Sequence, residues 1–71
     1  MASSLIACIE KQRLLQEFAR AVSEYHRLQS AQVAAVINGE GFLFEEQLAD
    51  AAIRRDEAKY AVLAHQQAHG C

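Results

Sequence analysis

The chain has 71 residues, a net charge of −2, no proline and only three glycines. That length makes one small domain, residues 1–71, whose core barely balances chain entropy unless a second subunit, a metal or a disulfide adds to it. The near-even charge argues against a broad nucleic-acid surface, and no apolar run nears the roughly 20 residues a membrane span needs, so a soluble protein with no membrane partner is expected.

The first stretch to weigh is "LIAC", Leu5 to Cys8. Small residues before a cysteine match a bacterial lipoprotein signal, but only Met1 to Ser4 precede it, too few for a basic n-region and an apolar stretch of about 7 to 15 residues. Two cysteines with no secretory signal read as reduced thiols in a cytoplasmic protein.

With no proline and with glycine only at positions 39, 41 and 70, everything between is free to be helical. Ser3 or Ser4 can cap a first helix over residues 4–37, and "NGEG" (Asn38 to Gly41) supplies residues that tolerate positive φ and end it, with a turn over 38–42. A second helix follows over 43–69 and ends at Gly70. The predicted fold class is all-α, a two-helix antiparallel hairpin with arms of about 50 and 40 Å.

Spacing by seven along the first helix gives Cys8, Leu15, Val22, Gln29 and Val36. Three residues on from each come Lys11, Phe18, Tyr25 and Gln32, and the two series together predict an a/d seam widened by Leu14, Ala21, Leu28 and Ala35. On the far side Glu10, Glu17 and Glu24 alternate with Arg13, Arg20 and Arg27, a solvated ladder of ion pairs. The second helix carries a matching seam at Phe44, Leu48, Ala51, Arg55, Ala58, Val62, His65 and His69. Folding back at the turn sets Val36 against Phe44, Val22 against Ala58, Phe18 against Val62, Leu15 against His65 and Tyr25 against Arg55.

Gln29, Gln32 and Arg55 are polar residues inside this seam. They fit register control, since a buried polar group penalises any pairing that removes its partner. Half-exposed positions and ligand contacts are the other readings.

A further apolar set lies off the seam: Ile6, Ile9 and Ile37 on the first helix, and Ile53, Tyr60 and Leu63 on the second. Left in water, these would exceed the patch a monomer usually exposes. Self-association covers them, so a homodimeric four-helix bundle is expected with these six residues at the oligomer interface.

The chain closes on "AHQQAHGC". Fold-back places His65, His69, Cys71 and Cys8 at one end of the hairpin, a two-His, two-Cys set of the kind zinc favours, although Lys11 would repel a cation there. The same residues also fit a plain helix ending, with histidine near the last carbonyls and glycine after them, or a Cys8 to Cys71 contact that acts through oxidation. His26 reads as surface, no cofactor is called for, and no nucleophile has a base placed for it.

The segment from Glu57 onward, "EAKYAVLAHQQAHGC", resembles the ending of short bacterial helical hairpins that finish in His, three residues, His-Gly-Cys. That resemblance implies a bacterial protein and makes His65, His69, Gly70 and Cys71 the functional positions, without fixing an activity.

The expected role is therefore non-enzymatic: an oligomeric protein-interaction or scaffold module with a protein partner still to be identified. Two alternatives stand beside it. One is a dimeric RNA-binding regulator, similar in architecture to plasmid copy-control hairpins, with Arg13, Arg20 and Arg27 on phosphates. Nucleic acid is disfavoured because each arginine has a glutamate neighbour. The other is a metal or redox sensor built on the terminal cluster.

Overall fold

The computed structural model describes the backbone of residues 2–69 and the side chains of residues 9–68. Within it the chain forms two helices, α1 (Ala2–Ile37) and α2 (Glu45–His69), which pack against each other along their length. The body measures 58 × 13 × 12 Å, with a radius of gyration of 16.4 Å. A compact chain of this length would have a radius of gyration of about 11 Å. The hairpin is a rod.

The first helix begins earlier than its capping serines suggest. Its backbone is helical from Ala2, so Ser3 and Ser4 stand inside the first turn and not at the position before it.

The other end of α1 follows the glycine expectation. Gly39 has φ 78° and Glu40 N–H donates to Ala35 C=O at 2.8 Å, while Gly39 N–H donates to Val36 C=O at 3.0 Å. This is the Schellman pattern, which needs a left-handed residue just past the helix and so selects glycine. Gly41, with φ 87°, then redirects the chain.

The connection is longer than its glycines predict. Helix α2 starts at Glu45, not at residue 43, because Phe44 acts as its N-cap: Phe44 C=O accepts the first helical bond, from Leu48 N–H. A phenylalanine side chain cannot accept a hydrogen bond, so it supplies none of the help normally given by a capping hydroxyl. Glu45 and Glu46 occupy the first turn, where carboxylates complement the positive end of the helix dipole.

The seam is one layer deep. Among the described residues the buried apolar side chains are Leu28, Ala35, Ala51 and Val62, joined by one buried polar residue, Gln32. Half-buried Leu14, Phe18, Ala21 and Tyr25 of α1 and Leu48, Arg55, Ala58 and His65 of α2 extend it. On α2 this is the series read from the sequence.

On α1 one of the two series shifts by a residue. Leu14, Ala21, Leu28 and Ala35 face α2, whereas Leu15 and Val36 are 42% and 39% exposed and Gln29 is exposed. Adjacent residues on a helix are about 100° apart, so both members of a pair such as Ala35 and Val36 cannot face one partner. Helix α2 is set against the smaller member, which lets the two backbones approach closely and leaves the valine on the flank. Ala21 and Ala58 line one groove between the helices.

Candidate functional site

Gln32 fixes how the two helices align. Its side-chain oxygen accepts from Phe44 N–H at 2.8 Å, and its Nε2 donates to Glu45 Oε1 at 2.6 Å. The amide thus satisfies the N-cap N–H of α2 from across the seam, the bond that a glutamate or glutamine at the third helical position makes in a capping box. Of the three polar seam residues, Gln32 has the buried, paired geometry that register control requires, while Gln29 points to water.

Gln32→Ala is expected to cost about 1–3 kcal/mol, because it strips a partner from a part-buried N–H and removes a charge-assisted bond. Gln29→Ala should stay within about 0.5 kcal/mol. Chemical denaturation followed by circular dichroism measures both, and equal losses would remove the assignment.

Farther along the seam the Arg55 guanidinium lies over the Tyr25 ring, 4.5 Å from its centroid, and Arg55 Nε also donates to Asp56 Oδ1 at 3.1 Å. The cation stacks on an aromatic face while its edge stays bonded to a carboxylate, so its charge is compensated where an apolar residue would otherwise sit.

The two flanks of the hairpin differ in chemistry. On both helices the residue before each seam residue falls on one side of the rod and the residue after it on the other. The first side carries Arg13, Glu17, Arg20, Glu24 and Arg27 of α1, with Arg54 and Glu57 of α2. There Arg13 pairs with Glu10 and Glu17, and Arg27 with Glu24. These bonded guanidiniums hold the Glu10 and Glu24 carboxyls below the usual carboxylate range.

A shallow open groove of about 500 Å³ runs along this flank, floored by Ala21, Ala58 and Ala61 and rimmed by charges that include Arg20 and Arg54. A general acid at neutral pH needs its pKa raised, and Glu24 on the rim is shifted the other way. The groove has the composition of a hydrated salt-bridge surface.

The opposite flank is unlike it. On α1 it presents Leu15, Ala19, Val22, His26, Gln29, Val33 and Val36, with no Asp, Glu, Lys or Arg among them. On α2 it carries Ala52 and Leu63 beside Asp56 and Lys59. Leu15, Val33, Val36 and Leu63 are all exposed.

Of the six residues expected off the seam, Ile9, Ile37, Ile53, Tyr60 and Leu63 are exposed, Ile37 at 77%. The Ile6 side chain lies outside the described residues. Ile53 and Tyr60 form an outer ridge on α2, with Lys59 Nζ 4.7 Å from the Tyr60 ring centroid. The sequence reading did not include Phe42 and Leu43, which stand exposed at the tip, Phe42 at 68%. Helical periodicity has no power in a turn, and two large apolar residues next to glycine were the available signal.

The terminal cluster falls mostly outside the described side chains: those of Cys8, His69 and Cys71 are not among them. His65 is half-buried at the open end of the seam, and its charge contributes to the lowering of the Glu10 carboxyl. Among the described residues no three His, Cys, Asp or Glu side chains gather as a metal site, and no helix is long and apolar enough to cross a membrane. No family model, curated protein or solved structure matches the chain.

Proposed function

We propose that this hairpin is a non-enzymatic interaction module that works as a homodimer, two copies forming a four-helix bundle whose outer surface engages another protein in the cytoplasm. The observation that carries the reading is surface exposure. The chain exposes 5151 Å². A compact monomer of 7.9 kDa exposes about 4,400 Å², and the excess of about 700 Å² is close to the roughly 800 Å² each partner buries in a standard interface.

The character of that surface points the same way. Among the described residues ten large apolar side chains are exposed against four buried apolar residues, two of which are alanines. A seam of that size does not offset the ordering of two long helices, and a second layer supplies what is missing. In this reading Ile53 and Tyr60, which the sequence suggests for the oligomer interface, are instead left outside the dimer as a ridge for a different protein.

Multi-angle light scattering over a dilution series tests the central step. The expected mass is twice 7.9 kDa, falling toward one copy only on strong dilution. A helical monomer that melts cooperatively at every concentration would sink the proposal. The nucleic-acid alternative is not favoured, since Arg13 and Arg27 are already engaged by carboxylates and bring little net attraction to phosphate.

A further inference from the structure

We infer that the second copy docks on the flank formed by Leu15, Val22, Val33, Val36, Ala52 and Leu63, and that it lies antiparallel, the turn of each hairpin set over the open end of the other. This rests on the self-association proposed above and adds the face and the direction.

The face follows from the contrast between the flanks. The groove side is lined with ionised groups, some of them already paired with one another, and burying it would cost their desolvation. The other side offers a row of leucine and valine beside the seam, so a second copy there extends the existing core into four helices. Gln32 and Glu45 already satisfy each other at its turn end, and Lys59 can lay its apolar stem on the face while its charge reaches water.

The direction follows from charge along the rod. Residues 31–51, which fold around the turn, contain Glu40, Glu45, Glu46 and Asp50 and no lysine or arginine. The remainder holds all seven lysines and arginines against five carboxylates. A parallel pair would set the two acidic turns side by side; an antiparallel pair separates them and sets each beside the open end of the other, where Lys11 and Arg13 outnumber Glu10 by one charge. Helices in contact are 8–10 Å apart, comparable to the screening length of about 10 Å at 0.1 M salt, so the preference is felt in solution and fades as salt rises.

The antiparallel pair also matches sizes. A two-fold axis crossing the flank near Val22 brings Ala52 of one copy level with the partner's Lys59, a small residue against a long one.

The test places one spin label at the tip, using Glu40→Cys with Cys8→Ser and Cys71→Ser, and measures the distance between labels in the dimer. Glu40 is exposed, and circular dichroism checks that the variant stays helical. An antiparallel pair gives a separation approaching the 58 Å long axis. A separation within about 20 Å, two helix spacings, overturns the direction while leaving the dimer intact.

A variant and parent that are both monomeric overturn the underlying self-association as well. Salt gives a readout that needs no label. Raising NaCl from about 0.05 to about 0.5 M should weaken an antiparallel dimer several-fold, whereas a dimer that tightens overturns the proposal.

Discussion

Leu28→Ala is expected to lower the stability of the folded protein by about 3 kcal/mol, within the range of about 2–5 kcal/mol for a buried leucine cut to alanine. Leu28 is only 5% exposed and is the largest of the buried apolar side chains among the described residues. Two helices in a single layer have few other side chains able to close around the void. At roughly 4–8 °C per kcal/mol for a chain of this size, the melting temperature should fall by more than about 10 °C.

The comparison that gives this meaning is Val36→Ala. Val36 follows a seam residue instead of occupying the seam and is 39% exposed, so its truncation should cost less than about 1 kcal/mol in the hairpin. Both melts belong at one fixed protomer concentration, because association adds to apparent stability. Equal losses would mean that α2 packs against the other apolar series of α1.

Charging the apolar row on the flank opposite the groove should have the second large effect. Leu15→Glu combined with Leu63→Glu puts a carboxylate on each helix of the face assigned to the partner copy, and the dimer dissociation constant is expected to rise by more than about 100-fold, beyond 2.7 kcal/mol. Both residues are exposed in the hairpin, so its helices should persist in circular dichroism.

The matching control charges the outer ridge instead, with Ile53→Glu and Tyr60→Glu. These should leave dimerisation unchanged while removing whatever apolar contact the ridge makes with another protein. Sedimentation velocity on the two double variants separates the surfaces, and dissociation of the ridge variant alone would reverse their assignment.

Much of this architecture was legible before any coordinates. Proline is missing and glycine sits beside Asn38, so two helices and their turn followed from the chemistry of positive φ. The α2 seam could be read because its residues between Phe44 and His65 repeat at alternating steps of four and three, and charged neighbours on both sides of Arg55 and Ala58 mark the register at mid-helix.

On α1 the pairs Leu14 and Leu15, Ala21 and Val22, and Ala35 and Val36 offer two parallel stripes, and hydrophobicity favours the larger member. Close approach of two backbones favours the smaller. The step at Leu28 and Gln29 was the place where the sequence discriminated, since only one of that pair suits a core.

The flanking surfaces were harder to foresee. Which side of the rod each residue takes depends on the seam by single positions, so a shift of one residue converts Leu15, Val22 and Val36 from core into candidate interface. The bond from Phe44 N–H to Gln32 could not be anticipated either, because phenylalanine is a poor N-cap and nothing in the local sequence marks Phe44 as one.

That bond decides what the turn is needed for. The arms are held in alignment in part by an amide that grips the start of α2 directly, so the stretch from Gly39 to Gly41 does not set their stagger alone. Doubling the length of a flexible loop costs only about 0.6 kcal/mol. The tip is therefore where this chain can be lengthened, cut and rejoined, or made to carry a grafted epitope with little effect on the rod beneath it.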